Sequence, residues 1–344
     1  MPPRLKILGL SRGLLTRNSL YEHYIGPMMH TNVPLFCPKH LQPLKADLES
    51  LFCISGCSFT ILNNVPRFTT DEYTEAFGYQ WKRFPKTQLD SYSGTNVSKA
   101  RVEEVCGNEI WGHLHDKTVL EVGCGAGRFT EILLESGATV CSADLSQAVD
   151  ANVENFPLSP KHLVIQADVA RLPLLPGTFD IVFCLGVIQH TPNPEATIKH
   201  LAQFLKPGGW LLIDHYGKSM AWNLRTAPIV RAILKRLSPE RAFHLASKFY
   251  SRARSFYLIS NNRIYRKLLN VIFPVVYFGN EIPDLPLDLR DEWGLLDTYD
   301  SLTDWYKHRR RPSEIYKTLV ALNLENIKSF KGGNGVVARA QRPN

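Results

Sequence analysis

The stretch VLEVGCGAGRFTEIL, Val119 to Leu133, decides the fold class of this chain. Its first residues, VLEV, indicate the end of a buried strand, and RFTEILLESG has the apolar spacing of a helix. Between them, Gly123, Gly125 and Gly127 have the G-x-G-x-G spacing of a tight strand-to-helix turn. Glycine suits this turn because the backbone bends sharply and a ligand approaches where a Cβ would otherwise stand. A glycine-rich turn alone is a weak indication of a ligand.

Strands and helices alternate around this turn, over residues 116–215. The predicted strands are KTVLEVGC, TVCSADLS, HLVIQADV, FDIVFCLGVI and WLLIDHY, and the predicted helices are GRFTEILLESG, SQAVDANVENF and PEATIKHLAQFLKPGG. This alternation predicts an α/β fold with a parallel sheet and helices on both faces. Ligands of such folds bind beyond the carboxyl ends of the strands. Asp144, Asp168 and the pair Leu185-Gly186 end three of these strands, so we expect them beside the glycine turn.

These strand ends fit a nucleoside that carries a sulfonium and an amino acid tail. A carboxylate at Asp144 is placed to accept both hydroxyls of a ribose. Asp168 is placed to accept from an adenine amino group, with the backbone amide of Val169 beside it. Glu121 either orients the turn or faces the amino acid portion. The alternative for Asp144 is a helix N-cap.

The ordered motifs VLEVGCGAGRFT, SADLS, QADVARLPLLPGTFDIVFCLGVIQHTPNPE and LKPGG resemble those of class I S-adenosylmethionine-dependent methyltransferases of the small-molecule, methyltransferase-11-like type. A dinucleotide fingerprint would place its third glycine one residue later. The resemblance implies a Rossmann-like seven-stranded sheet, parallel with a final antiparallel strand, completed by residues 296–344. It also implies cofactor-binding roles for Glu121, Gly123, Cys124, Gly125, Gly127, Asp144, Leu145, Asp168, Val169, Leu185 and Gly186.

Residues 32–68 contain four metal-ligand residue types in two pairs. Cys37-x2-His40 is followed, after twelve residues, by Cys53-x3-Cys57. Two close pairs on facing turns suit a tetrahedral zinc site; the alternative is three buried thiols and a surface histidine. The stretch resembles the zinc-ribbon (Trm112-like) modules that precede some methyltransferase domains, with a histidine for one cysteine and one extra residue in the second pair. It therefore predicts a small zinc-ribbon-like module with a structural Zn²⁺.

Residues 1–31 are predicted to be a leader, and residues 69–115 a helical linker. In the methyltransferase family, the segment before the glycine turn often folds over the cofactor. Trp81, Arg83 and Gln88 are therefore candidate lid residues. The alternative is that Phe77, Trp81 and Phe84 pack on the main domain.

Residues 216–295 form a predicted basic helical cap. Residues 216–275 carry twelve Lys or Arg and one acidic residue, Glu240, with apolar residues at helical spacing. Such a cap favours an anionic acceptor, phosphorylated or lipid-linked, or rests on an acidic membrane surface. The alternative is a solvated charged face over an ordinary helical cap. We expect the acidic stretch after residue 279 to pair with it.

Composition sets the broad class. The 344-residue chain is 44% apolar, has a formal charge of +8 and contains seven cysteines. That size permits about two domains, and so few cysteines suit a reducing compartment. The first residues lack a hydrophobic segment and cleavage site, and no uncharged run approaches the ~20 residues that span a bilayer. The sequence therefore predicts a cytoplasmic protein.

Two histidines are candidates for a general base. His190 follows the fourth predicted strand and His215 the fifth, and histidine suits proton transfer near neutral pH. The alternative for each is a structural or substrate-orienting role. The predicted reaction is methyl transfer from S-adenosylmethionine to a small-molecule, sugar-containing or lipid-linked acceptor, at oxygen.

Two other functions compete. RNA methylation suits the basic charge, but LGVIQHTPN stands where base-amino methyltransferases of this class carry an N-P-P-Y-like sequence. A non-catalytic protein that binds S-adenosylmethionine and a partner is the second alternative. The intact glycine turn and both acidic strand ends argue against a degenerate site.

Overall fold

The computed structural model describes residues 33–47, 49–69, 75–218, 226–260, 262–279, 282 and 285–344. The predicted leader, residues 1–31, lies outside the described residues. The first element is a four-stranded antiparallel sheet, and the cysteine-histidine pairs lie in the turns before and within it. Its strands are β1 Lys45–Ala46, β2 Ser50–Phe52, β3 Ser58–Leu62 and β4 Val65–Pro66.

Four helices separate this small sheet from the large one. They are α1 Glu75–Arg83, α2 Asp90–Ser93, α3 Val97–Cys106 and α4 Asn108–Trp111. Strands and helices then alternate as predicted. They are β5 Thr118–Val122, α5 Thr130–Glu135, β6 Thr139–Asp144, α6 Ala148–Asn155, β7 His162–Gln166, β8 Phe179–Cys184, α7 Pro194–Ala202 and β9 Leu205–Tyr216.

The remaining elements are a group of helices and the strands that complete the large sheet. The helices are α8 Ala227–Leu234, α9 Pro239–Tyr257, α10 Arg263–Ile272, α11 Leu287–Thr303 and α12 Pro312–Ala321, and the strands are β10 Glu325–Phe330 and β11 Gly335–Gln341. The large sheet has the order β10-β11-β9-β8-β5-β6-β7. In the described sheet, β11 runs antiparallel to both of its neighbours, β10 and β9, and the pairs among β9, β8, β5, β6 and β7 are parallel. The predicted Rossmann-like seven-stranded fold is confirmed.

Alternate residues of the central strand β5 support the two faces of the large sheet. Val119 joins one apolar cluster, with Leu133 of α5, and Leu120 joins another, with Val182 of β8. Successive side chains of a strand point to opposite faces, so a strand covered by helices on both sides is apolar throughout. Val119, Leu120 and Val122 are accordingly all apolar, and Glu121, the one polar residue of the VLEV run, is buried as well.

One predicted boundary is wrong. The sequence places the Lys-Pro-Gly-Gly run at the end of the helix that precedes the fifth strand, but α7 ends at Ala202 and the run lies inside β9. The pairing of β8 with β9 shifts register at this point. A Cβ on Gly209 would lie 3.0 Å from the carbonyl oxygens of Asp180 and Lys206. The glycine is therefore needed for the close approach of two strands rather than for a helix end.

The helical cap packs on α1 and α11. Phe84, Phe243 and Tyr299 share one buried cluster in this interface. The acidic stretch pairs with the basic one as expected: Arg254 Nε lies 2.6 Å from an Asp291 carboxylate oxygen. Among the described residues, no helix has both the length and the apolar character to cross a membrane.

Candidate functional site

A cavity of about 300 Å³ lies at the carboxyl ends of β5, β6 and β8. Parallel strands present these ends at one edge of the sheet, where ligands of open α/β folds bind. Most of the predicted cofactor residues meet in its wall. Those that line the cavity are Gly123, Cys124, Gly125, Asp144, Leu145, Asp168, Val169, Leu185 and Gly186.

The glycine turn follows β5 with three glycines at positive φ, and two of them, Gly125 and Gly127, have different neighbours. Gly125 has a φ of +52°, and a Cβ there would lie 3.2 Å from the indole of Trp81. Gly127 has a φ of +102°, and a Cβ there would lie 2.6 Å from the ring of Phe156. Gly125 therefore allows the Trp81 indole to pack on the turn in the cavity wall, whereas Gly127 allows the turn to pack on α6 and does not line the cavity.

Asp144 joins the end of β6 to the glycine turn. Its Oδ2 accepts a hydrogen bond of 2.9 Å from the Gly125 amide, and its Oδ1 accepts bonds of 2.8 Å from the Ser146 amide and hydroxyl. Burial raises the pKa of Asp144, although these hydrogen bonds oppose the rise. Helix α6 begins without a side-chain cap, so Asp144 does not take the alternative role of its N-cap. The carboxylate instead faces the cavity.

The other two strand ends complete the wall. Asp168 accepts a 2.9 Å bond from the Ala170 amide and so starts a short 3₁₀ turn after β7. At the end of β8, the Gly186 amide donates a 2.6 Å bond to Asp214 Oδ1. Asp214 also pairs with Arg101 of α3, which lines the cavity. This network fixes the backbone at Leu185-Gly186.

Glu121 lies beneath the turn rather than in the cavity wall. It is 1% exposed, and its Oε2 accepts bonds of 2.5 Å from the Thr130 hydroxyl and 2.8 Å from the Ser142 hydroxyl. Burial raises the pKa of Glu121 to about 7. These contacts tie β5 to the start of α5 and to β6, so the side chain orients the turn, which was the first of its two predicted roles.

The predicted lid residues divide between two places. Trp81 and Gln88 line the cavity together with Phe77. Arg83 instead lies over the ring of Phe243, 4.5 Å from its centroid, outside the cavity. Phe84 packs in the apolar cluster of the helical cap. Helix α1 therefore covers the glycine turn with one side and packs on the cap with the other.

His190 lies in the cavity wall between two aromatic rings. Its ring centroid is 5.5 Å from that of Phe77 and 5.3 Å from that of Tyr216. Nδ1 lies 3.1 Å from the Tyr306 carbonyl oxygen and 3.1 Å from Asp304 Oδ2. Both neighbours are acceptors, so Nδ1 carries a proton and a neutral imidazole keeps its lone pair on Nε2.

Asp304 is the anion behind His190. Burial opposes its ionisation, but Lys307, His190 and Arg231 hold the pKa of Asp304 at about 2. Arg231 Nε lies 2.5 Å from Asp304 Oδ1, and Lys307 Nζ lies 3.1 Å from Oδ2. The carboxylate therefore stays charged at neutral pH and fixes the histidine ring.

His215, the second predicted base, does not line the cavity. It lies on β9 between Asp214 and Tyr216, whose side chains face the cavity network, and alternate strand residues face opposite ways. Its Nδ1 lies 3.1 Å from the Tyr216 carbonyl oxygen, and burial lowers the pKa of His215 to about 4. We assign it no part in catalysis.

The sequence did not indicate the carboxylates of α11. Asp297 and Asp300 line the cavity, and Gln88 donates a 3.0 Å bond to Asp297. Burial raises the pKa of Asp297 to about 7, even though Arg128 opposes the rise. The acidic stretch was the available signal, but it was interpreted as a partner of the basic helices. Asp297 lies about 150 positions after Asp144 in the sequence, so no local spacing indicates that the two residues line one cavity.

Cys37, His40, Cys53 and Cys57 converge beside the N-terminal sheet. Their ligand atoms all lie within 4.8 Å of one another, and His40 Nδ1 lies 3.5 to 3.6 Å from each sulfur. Cys53 and Cys57 flank the turn between β2 and β3. Three thiols and one imidazole on two short turns are a donor set that suits tetrahedral zinc.

This module docks beside the cofactor cavity. Val65 is buried in one cluster with Cys124 of the glycine turn and Val149 of α6. Arg67 lies 2.6 Å from Asp150, and the Phe68 amide donates a 2.8 Å bond to the Gln166 carbonyl of β7. The two sheets are thereby joined by side-chain packing, an ion pair and a backbone bond.

Residues 120–213 match a family model described as a methyltransferase domain. Three similar curated proteins are ubiquinone biosynthesis O-methyltransferases. That of Paraburkholderia xenovorans is 32% identical over 31% of this chain and 48% of its own length. That of Nitrosomonas europaea is 30% identical over 43% and 66%, respectively. That of Thiobacillus denitrificans is 34% identical over 40% and 59%.

The chain thus spans about half to two thirds of the length of these relatives. Among solved structures, magnesium protoporphyrin IX methyltransferase from Synechocystis, with bound SAH, is 15% identical with a TM-score of 0.43. The match covers 79% of this chain and 97% of that one.

Proposed function

We propose that this chain, whose residues 120–213 match a methyltransferase-domain model, transfers a methyl group from S-adenosylmethionine to an oxygen atom of a small-molecule acceptor. The observation that carries the proposal is the cavity at the strand ends, where the glycine turn, Asp144, Asp168 and His190 share one wall. The names of the O-methyltransferase relatives support oxygen as the methylated atom.

The residues of the cavity wall fit S-adenosylmethionine part by part. We assign the ribose hydroxyls to Asp144, the adenine to Asp168 and the Val169 amide, and the methionine portion to the backbone at Leu185-Gly186. With no Cβ at Gly125, the Trp81 indole lies close to the turn that the ligand would approach. When bound, the cofactor supplies an electrophilic methyl group on sulfur.

His190 is the general base in this proposal. An acceptor hydroxyl would lose its proton to Nε2 as the oxygen attacks the methyl carbon. Asp304 is a positioning residue, because it holds Nδ1 protonated and stabilises the imidazolium that forms. The rings of Phe77 and Tyr216 limit water around the imidazole. Alignment of oxygen, carbon and sulfur supplies much of the rate in such displacements.

RNA methylation is the weaker alternative. A nucleotide base would have to enter a cavity that Trp81 and Phe77 partly cover. The LGVIQHTPN sequence after β8 also lacks the motif expected of base-amino methyltransferases. A non-catalytic cofactor-binding protein is disfavoured by a buried, charged partner for His190, which ordinary ligand binding does not require.

The helical cap supports a peripheral membrane contact and a lipid-linked or otherwise anionic acceptor. Ile264, Leu268 and Ile272 lie on one side of α10 and are 79%, 56% and 48% exposed, with Arg263 and Lys267 beside them. An apolar row with basic neighbours suits the interface of an anionic membrane. Sedimentation with phosphatidylglycerol vesicles tests this: Leu268→Asp should abolish an association that Ile54→Asp retains. Equal binding by both variants would exclude α10 as the contact. A cytoplasmic location stays a prediction.

The N-terminal module is a zinc ribbon of the Trm112-like type in this proposal. Cys37, His40, Cys53 and Cys57 would hold one structural Zn²⁺, because they supply four ligand atoms within one coordination sphere. Four protein ligands leave no open position, so the ion would stabilise the fold and take no part in methyl transfer.

Calorimetry with S-adenosylhomocysteine tests the cofactor assignment. Asp144→Ala should weaken binding at least about tenfold, since charged hydrogen bonds contribute ~1.5–3 kcal/mol. Glu154→Ala removes an exposed carboxylate of α6 and serves as the matched control. If the unaltered protein did not bind the ligand, the proposed function would fail.

A further inference from the structure

A second cavity, of about 830 Å³, opens beside the first at the carboxyl end of β9. The two cavities share Tyr216, Val276, Ser301 and Asn334 in their walls. His190 packs against Tyr216, so the shared wall also borders the proposed general base. One acceptor molecule can therefore occupy the second cavity and still present a hydroxyl in the first.

The second cavity is lined by cations. Among its described lining residues no carboxylate occurs, and the basic ones are Lys218, Lys307, Arg309, Arg310, Arg311 and Lys331. Three of these cations have partners outside the lining. The pairs are Lys218 with Glu314 at 2.6 Å, Lys307 with Asp304 at 3.1 Å and Arg310 with Glu195 at 2.7 Å.

Arg311 and Lys331 differ from these three. In the part of the chain that the structure describes, neither forms an ion pair with a carboxylate, and both are exposed. The wall consequently carries more positive charge than its own carboxylate partners neutralise. A cavity lined by charges of one sign raises the local concentration of ions of the opposite sign.

Backbone hydrogen bonds hold residues 307–311, the cationic segment of the wall, in place. The Arg310 amide donates a 2.8 Å bond to the Tyr216 carbonyl, and the Lys218 amide donates a 3.1 Å bond to the Arg310 carbonyl. The segment thus extends the end of β9 as a short parallel bridge at Gly217. Because the segment is already held in place, ligand binding costs little additional conformational entropy. This preorganisation favours affinity.

We propose that the second cavity, called the basic chamber below, binds the phosphate or diphosphate group of the acceptor. The inference rests on the proposed function, because the shared wall is what relates the bound group to methyl transfer. Several cations around one site match a ligand of two or more negative charges better than a single carboxylate. Guanidinium and ammonium groups together are a common setting for phosphate oxygens.

Binding of inorganic pyrophosphate tests the chamber. Calorimetry in the presence of S-adenosylhomocysteine should show binding that Arg311→Ala/Lys331→Ala weakens by about tenfold or more, as expected for the loss of charged contacts. A parallel measurement uses vesicles of phosphatidylcholine and phosphatidic acid. A loss confined to pyrophosphate indicates a soluble phosphorylated acceptor, and a loss on the vesicles indicates a lipid-linked one.

Arg241→Ala/Lys317→Ala is the matched control. It removes the same charge from exposed positions outside the cavity, and both affinities should stay at the level of the unaltered protein. Equal affinities for the chamber variant and the control, or no binding of either probe, would overturn the proposal. Affinity for S-adenosylhomocysteine is measured for every variant, so a failed cofactor site is distinguished from a failed anion subsite.

Discussion

The two ring nitrogens of His190 have separate partners, and this separation makes its role testable. Nδ1 lies between the Tyr306 carbonyl and Asp304, which leaves Nε2 for the acceptor. His190→Gln should lower kcat by about a hundredfold or more, because general bases contribute factors of ~10²–10⁴. Affinity for S-adenosylhomocysteine should be unchanged. Asp304→Asn should lower kcat less, since it removes only the positioning charge.

The control for this prediction is His215→Gln, which alters the buried histidine of β9. Turnover should stay within about twofold of the unaltered protein, because that ring lies outside the cavity and contributes nothing to transition-state stabilisation. If His215→Gln abolished turnover while His190→Gln retained it, the assignment of the base would be wrong.

The raised pKa of the buried Glu121 carboxyl should make the free energy of unfolding depend on pH. Burial raises its pKa from the usual 4.5 to about 7 in the folded protein. Below pH 4.5 the group is protonated in both states; as pH rises toward 7, only the unfolded chain releases its proton. Folding therefore loses up to ~3 kcal/mol over this window, at 1.36 kcal/mol per pKa unit.

Thermal unfolding of Glu121→Gln against the unaltered protein isolates this effect. Glutamine cannot ionise, so the variant should gain Tm relative to the unaltered protein between pH 5 and pH 8. Other titrating groups are common to both proteins and cancel in the difference. Parallel Tm curves across that range would contradict the raised pKa.

At the scale of elements, helix α1 is the cover of the cofactor turn. Trp81 contacts the turn at Gly125, and α1 packs on the helical cap through Phe84. Trp81→Ala should weaken S-adenosylhomocysteine binding by about two- to tenfold, as expected for losing an aromatic contact of ~0.5–1.5 kcal/mol. Calorimetry measures this, with exposed Tyr92→Ala of α2 as the control. A similar loss in both variants would mean that α1 is not a specific cover.

The elements of the central sheet were largely predictable, because strand and helix periods are local properties. The alternation of strands and helices around the glycine turn is confirmed. The boundary between α7 and β9 was not predictable, since Gly209 serves a strand approach that depends on the distant residue Asp180. The two-residue period of a strand would have predicted that His215 faces away from the cavity. The sequence interpretation did not use that period at this position.

The residues around the base lie beyond local sequence rules. His190 and Asp304 meet only because the C-terminal end of α11 lies beside the end of β8. Nothing in the spacing of these two residues indicates contact, and the aspartate looks like one of several in an acidic stretch. A single sequence therefore identifies the cofactor turn better than it identifies the machinery for the acceptor.

At the scale of the whole molecule, the N-terminal module predicts a metal requirement. Purified protein should contain about one equivalent of zinc, and Cys53→Ser should lose most of it, because each thiolate is one of four ligands. Plasma emission spectrometry measures the content, and Tm should fall with the metal. Cys106→Ala, in α3 and outside the cluster, should retain zinc. Less than a tenth of an equivalent in reduced protein would exclude the site.

The docking of the module has a consequence for work with shortened chains. Strand β7 is the last strand of the large sheet, and residues 67–68 bond to its outer edge. A chain that starts at residue 75 would lack these partners, and the backbone groups at the outer edge of β7 would be exposed. Bare edges pair with strands of other molecules. Expression of the methyltransferase domain by itself should therefore yield filaments or inclusion bodies, even though every cofactor residue is retained.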